Sequence, residues 1–159
     1  MTKTNVMRLL EAAGIAYRTA EYEYDEANLS GLHAAEQVGM DAEQVFKTLV
    51  TRGDKTGILV FCIPVDMELD LKKAAKAVGE KSIDMVKSKE LLGLTGYIHG
   101  GCSPIGMKKF FKTTFQKEAA EYDTIMFSAG KIGYQVELPL KEVSKVIRYQ
   151  LGDIVTEAQ

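Results

Sequence analysis

Cysteine is scarce in this sequence: Cys62 and Cys102 stand far apart, with no CxxC and no paired spacing. A disulfide-built fold of this length needs more, so two reduced thiols and a cytoplasmic location are the expectation. Histidine is equally scarce. His33 and His99 have no ligand spacing to each other or to a cysteine, so neither a metal centre nor another cofactor is expected. Charge of one sign is lacking too: 20 Lys and Arg face 22 Asp and Glu, a formal net charge of −2. Bulk charge therefore gives no support for a nucleic-acid partner, and a phosphate must be met by a local basic patch. The longest apolar run, Ile58 to Ile63, is far short of the ~20 residues that cross a bilayer, so no membrane partner is expected. Lys3, Arg8 and Glu11 break up the first 17 residues, which is not the pattern of a signal peptide. Tryptophan is absent, which decides nothing. Internal repeats, linkers and low-complexity segments are also missing. What is present is 46% hydrophobic and 26% charged, over a length that suits one domain spanning residues 1–159.

The chain reads as a mixture of helices and strands. Val6, Leu9, Leu10 and Ala13 recur at helical spacing, with Gly14 as the stop. Ile15 to Tyr24 alternates loosely as a strand, Asp25 to Gly31 is loop-like, and Leu32 to Val38 is a short helix ended by Gly39. Val45 to Thr51 and Ile58 to Ile63 flank turn chemistry and predict a hairpin, its second strand buried on both faces. Asp70 can cap a helix with Leu71, Ala74, Ala75 and Val78 inward and Gly79 at its end. Ser88 to Leu92 reads as a helix, Thr124 to Phe127 and Tyr134 to Leu138 as strands. Pro139 opens a closing helix with Leu140, Val143 and Ile147 inward. The irregular mixture and the hairpin argue for a mixed α/β (α+β-like) fold and against a doubly wound parallel sheet.

Lys47 is the first candidate for chemistry. It alternates onto the same strand face as Val45 and Leu49, where an ammonium loses hydration unless it reaches a partner or a cleft. Pattern alone favours a lysine that snorkels from a strand end. Two loops follow. Gly100-Gly101-Cys102-Ser103-Pro104-Ile105-Gly106 offers close backbone approach and N–H donors for an anion or an oxyanion, though it lacks the spacing of a P-loop. Ser128-Ala129-Gly130-Lys131-Ile132-Gly133 is a second such loop, and the two could form the lips of one pocket. Each alone could equally be a tight connection between strands. Cys102 has no base placed against it, the serines have no His/Asp arrangement, and no convincing nucleophile emerges. The lysines at 72, 73 and 76 read either as a solvated face or as contacts to nucleic-acid phosphates.

Taken in order, four motifs resemble the YbaK/prolyl-tRNA synthetase editing-domain family over nearly the whole chain. They are Val45-Phe46-Lys47-Thr48-Leu49, Leu69 to Ala75, the Gly100 to Gly106 loop as a GGxSPxG motif, and the Ser128 to Gly133 loop. The resemblance implies a mixed, barrel-like β-sheet flanked by helices, and release of a wrong amino acid from tRNA without a cofactor. It implies that Lys47 holds the tRNA 3′ end with Thr48 beside it, and that Gly101 and Ser103 shape the site around the reacting carbonyl. It places Tyr22, Gly100, Cys102, Pro104, Gly106, Ser128, Gly130 and Gln135 around the substrate, and Lys72, Lys73 and Lys76 on the tRNA. The implied substrate is mischarged Cys-tRNA(Pro), whose own thiol would attack its carbonyl to give a thiolactone. Alternatives are a hydrolytic editor of Ala-tRNA(Pro) or another mischarged tRNA, and a non-catalytic module that recruits tRNA or a synthetase. Prolyl-tRNA synthetase is an open second partner. The chain departs from the pattern at Gln135, commonly acidic in the YbaK branch, and at Ala129 and Ile132, where a glycine and a basic residue are frequent.

Overall fold

Ile58 to Ile63 has no polar face to turn to water, so it has to be covered on both sides. In the computed structural model, which describes residues 2–24 and 30–157, this run is the centre of the molecule. It forms β3 (Ile58–Pro64), paired antiparallel with β2 (Phe46–Gly53) and parallel with β6 (Lys112–Gln116). The sheet extends to β5 (Ile83–Met85) beside β2 and to β9 (Gln150–Gly152) beside β6, in the order β5-β2-β3-β6-β9. Side chains alternate along β3 and feed two cores. Leu59, Phe61 and Ile63 pack against Ala74 and Ala75 of α3 (Leu71–Val78) and against Ile154 and Val155. Val60 and Cys62 face the larger core, with Phe46, Phe115, Phe127, Val136 and Leu138, and with Val6 and Leu10 of α1 (Asn5–Ala12).

A second, antiparallel sheet has the order β1-β8-β7, from β1 (Arg18–Glu21), β8 (Tyr134–Leu138) and β7 (Ile125–Ser128). It meets the large sheet where Met126 bridges Val45 just before β2. A third pairs β4 (Met67–Leu69) with β10 (Val155–Glu157). None of the three sheets closes on itself among the described residues, so the mixed α/β fold is built of open sheets where a barrel-like one was expected.

Caps fall where the sequence puts them. Asp70 accepts hydrogen bonds from the Lys72 and Lys73 N–H groups at 3.0 Å, and α3 stops at Gly79. Ser30 caps α2 (Gly31–Val38), which stops at Gly39. Other expectations shift. The first strand is shorter, Leu9 and Leu71 are exposed, and the helix at Ser88 runs on to Thr95 as α4. Residues 25–29 of the expected loop lie outside the described residues. The closing helix is the single turn α5 (Leu140–Val143) with Pro139 at its cap, and β9 and β10 lie beyond it. Lys73 is not a free tRNA contact either. Its ammonium donates to the Val155 carbonyl at 3.0 Å and pairs with Asp153 at 3.3 Å, tying α3 to the end of the chain.

The β2–β3 turn is fastened to the start of β5 by two carboxylates facing opposite ways. Glu80, buried, accepts from the Lys55 and Thr56 N–H groups at 2.9 and 2.8 Å and from the Thr56 hydroxyl. Asp54 accepts from the Lys81 and Ser82 N–H groups at 3.1 and 3.4 Å. The hydrogen bonds from the Ser82 and Lys81 N–H groups hold the Asp54 carboxyl below its ordinary range. Glu80→Ala should lower the unfolding free energy in a urea titration by about 2–3 kcal/mol, the scale of buried hydrogen bonds to a charged group. The Asp54 contribution is complete above an unfolded carboxyl pKa of about 3.9 and is lost as pH falls from there through the lowered folded value. Asp54→Asn should therefore flatten that part of the acid unfolding curve.

Candidate active site

β2 has a gap along one edge. β5 pairs with it only at Thr51 to Gly53, and β7 bridges the chain at Val45, just before β2. Between these two points the chain that paired with β2 has turned away into α4, and a cleft of about 470 Å³ opens there. Phe46 to Val50 form its floor, Ser128 and Gln135 one wall, and Val86, Leu91 and Cys102 the other. His99, Gly100, Tyr22, Leu32 and Ala34 also line it.

Lys47 sits opposite Ile63 in the ladder, so it shares a face with Leu49 as its position in the sequence predicts. It is half-buried, and loss of hydration lowers its pKa, an effect opposed by the charges of Glu68 and Asp66. Among the described residues its ammonium makes no ion pair or hydrogen bond. Thr48 turns to the other face, its hydroxyl 3.7 Å from the Cys62 sulfur. Tyr22 is held by its N–H to the Gly133 carbonyl at 2.9 Å, and its ring meets Tyr24 and His33 edge-on, each with centroids 6.5 Å apart.

Among the described residues the cleft holds no activated nucleophile. Burial pushes the Cys102 thiol up to about 11, with some relief from Thr95, and the Cys62 thiol up to about 12. Both are thiols, not thiolates, at neutral pH. The Ser128 hydroxyl is occupied at both ends, donating to the Gly101 carbonyl at 3.1 Å and accepting from the Gly130 N–H at 3.0 Å. The neighbour opposite it, Gln135, is 6% exposed and its Oε1 has no hydrogen-bond partner among the described residues. A buried amide oxygen left unpaired beside a cleft is a group that a ligand can satisfy.

The structure thus brings Lys47, Thr48, Tyr22, Gly100, Cys102, Ser128 and Gln135 to one cleft. It does not bring Gly101, Ser103, Pro104, Gly106 or Gly130 to its surface. Ser103 is fully buried and accepts from the Ile105 N–H, and the Gly101 N–H is spent on the Ile98 carbonyl at 2.9 Å. Pro104 and Gly106 border a separate hollow with Met107 and Phe110. Lys72, Lys73 and Lys76 lie outside the cleft on α3. Sequence reasoning missed Val86, Leu91, Met85 and Leu32. They are ordinary apolar residues, and only the fold reveals that they border a cleft.

The glycines have another use. Tyr97 lies between the two loops and donates to the Ile105 carbonyl at 2.5 Å. A Cβ on Gly106 would sit 2.6 Å from its hydroxyl, and one on Gly130 2.9 Å from its ring. Both glycines also have φ near +90° (+83° and +93°), where other residues are strained. Gly106→Ala and Gly130→Ala should each cost about 1–3 kcal/mol of stability, read by thermal or urea unfolding. Unchanged stability in both would leave Tyr97 without its wedge role.

Comparison with a family model places the chain among editing domains, the class of protein that handles an amino acid still joined to tRNA. The family model described as "Aminoacyl-tRNA editing domain" matches residues 30–146. The chain belongs to the aminoacyl-tRNA editing domain family, in its YbaK/EbsC branch. It is 46% identical over 155 residues, 98% of this chain and 94% of the relative, to a protein of Enterococcus faecalis named "Putative Cys-tRNA(Pro)/Cys-tRNA(Cys) deacylase EbsC". It is 33% identical over 75 residues to a "Proline--tRNA ligase" of Shouchella clausii, covering 47% of this chain and 13% of the ligase. The fold matches the crystal structure of "a putative trans-editing enzyme for prolyl tRNA synthetase" with a TM-score of 0.82 and 25% identity, over 95% of this chain and 94% of that one. No helix among the described residues is long and apolar enough to cross a membrane.

Proposed function

We propose that the protein is an editing deacylase that removes cysteine from mischarged Cys-tRNA(Pro), using the substrate's own thiol as the nucleophile. The observation that carries this reading is a cleft with, among the described residues, an unpaired lysine cation and no activated protein nucleophile. An aminoacyl ester is already activated, so positioning supplies much of what its cleavage needs, and an intramolecular attack can gain ~7–11 kcal/mol from it. The relative named as a Cys-tRNA(Pro)/Cys-tRNA(Cys) deacylase supports cysteine as the amino acid.

In this reading Lys47 meets a phosphate of the tRNA 3′ end, a role suited to a compact point charge. The aminoacyl side chain points between Val86, Leu91 and Cys102. The cysteinyl sulfur bonds to the carbonyl carbon, the ester bond to the ribose oxygen breaks, and the thiol proton ends on that oxygen. The products are a four-membered thiolactone and tRNA with a free hydroxyl. Lys72 and Lys76 are exposed on α3 and suit contacts to the tRNA body, where charge reversal should weaken binding and flatten its salt dependence.

Lys47→Met should reduce turnover by about 10²-fold, the scale of lost positioning. It should not lower the melting temperature, because it removes a cation that loses hydration in the fold without gaining a partner. Turnover of Cys-, Ala- and Ser-tRNA(Pro) tests the substrate, and S-methyl-cysteinyl-tRNA(Pro) tests the mechanism. Release of cysteine with the S-methyl substrate bound but uncleaved is the expected result. Rapid cleavage of the S-methyl or alanyl substrate would make water the nucleophile and the protein a hydrolytic editor. Binding without cleavage of any of them would make it a non-catalytic module.

A further inference from the structure

The open stretch of β2 exposes backbone as well as side chains, and its direction follows from the ladder. Along a strand, successive residues point their N–H and C=O groups to opposite sides. Val45 and Gly53 turn theirs toward the β3 side, since the Val45 carbonyl accepts from Val65 N–H at 2.8 Å and the Gly53 N–H donates to Gly57 at 2.7 Å. Pro64, opposite Phe46, has no N–H to give, which agrees with even-numbered residues facing away from β3. Val50 does face away, because its carbonyl accepts from Val86 N–H at 3.1 Å. Two residues back, Thr48 must point its N–H and C=O the same way, into the cleft. The register that sets Val50 opposite Val86 would set Thr48 opposite Ser88, but Ser88 is the first residue of α4, and the neighbouring strand has ended. Among the described residues nothing pairs with the Thr48 backbone on that side.

We infer that this open edge is the recognition and oxyanion site for the aminoacyl group, which pairs with Thr48 as a one-residue strand. The inference rests on the deacylase reading above and adds the groups that hold the reacting ester. In a hydrogen-bonded antiparallel pair two residues exchange both bonds. Here the Thr48 N–H donates to the ester carbonyl oxygen, and the Thr48 C=O accepts from the substrate α-ammonium. The N–H is fixed in the floor of the cleft, aimed where negative charge develops as the carbonyl carbon becomes tetrahedral. Its neighbour Lys47 points to the other face and is left for the tRNA. Gln135 across the cleft supplies a second acceptor, its unpaired Oε1, for the same ammonium. The Gly100 to Gly106 loop was the earlier candidate for the oxyanion donors. In that loop the Gly101 N–H is given to Ile98 and the Ile105 N–H to Ser103, whereas the Thr48 N–H has no partner among the described residues.

The test removes the Thr48 N–H and, through the ester, also weakens the preceding Lys47 carbonyl as an acceptor within the ladder. Cell-free synthesis with the α-hydroxy analogue of threonine at position 48 replaces that amide by an ester and keeps the side chain. The same replacement at Thr51 is the comparison, because its N–H points to β3 within the ladder. Single-turnover release is measured on whichever of Cys-, Ala- or Ser-tRNA(Pro) the unmodified protein cleaves best, alongside melting. The ester at 48 should slow release by about 10²–10³-fold, the effect of deleting one oxyanion donor, with a smaller fall in melting temperature than the ester at 51. The ester at 51 should lower the melting temperature and leave release by folded protein within about threefold, since one ladder bond contributes to stability and not to the reaction. Full activity with the ester at 48, or a loss of melting temperature there equal to that at 51, would overturn the inference and leave the deacylase reading standing. An unmodified protein that cleaves none of the three substrates would overturn both.

Discussion

Covering β3 on both faces is the constraint from which the rest of the architecture follows. One helix, α3, and the end of the chain cover Leu59, Phe61 and Ile63. The other face needs more material, and α1, β7, β8 and α5 supply it together with Phe46 and Phe115. Two coverings of unequal size leave the sheet buried in its middle and incompletely paired at β2. The cleft lies at that incomplete pairing. Binding sites at a strand edge carry a built-in supply of directed N–H and C=O groups, which a cavity lined by side chains has to assemble residue by residue.

Much of this was legible in the sequence, for definite reasons. The β2–β3 hairpin announced itself through turn chemistry between two β-rich runs, and the absence of polar residues in Ile58 to Ile63 correctly indicated burial on both faces. Asp70 and the small residues of α3 specify a capped helix locally, and no tertiary contact overrides them. The strands β4, β5, β9 and β10 were not legible. Each has only three residues, too few for alternation to register, and each exists because a partner edge was waiting for it. Gln116, buried, shows how such pairing is paid for: its amide accepts from Ile154 N–H at 2.8 Å and donates to Asp153, holding the turn between β9 and β10.

The candidate site divides along the same line. Lys47 could be named because a motif carries it, Tyr22 and Gln135 because the family resemblance placed them around the substrate, and all three line one cleft. The glycine-rich loops were conspicuous in sequence for a reason that proved partly structural. Glycine marks close approach, but sequence cannot say whether the approaching group is a ligand or the protein's own side chain. At Gly106 and Gly130 the approaching group is Tyr97. Backbone groups on the open β2 edge have no signature in sequence at all, since every residue carries them.

Tyr97 has a consequence for how this protein can diverge. Its ring fills space that two separate loops leave vacant, so the sizes of residues 97, 106 and 130 are constrained jointly. A larger residue at either glycine requires a smaller one at 97, and loss of the ring leaves a void beneath both loops. Lineages of the family that retain this wedge should hold all three positions together, whereas those that abandon it should change them as a set. The three positions then serve as an inherited marker of loop architecture, independent of which amino acid the cleft selects.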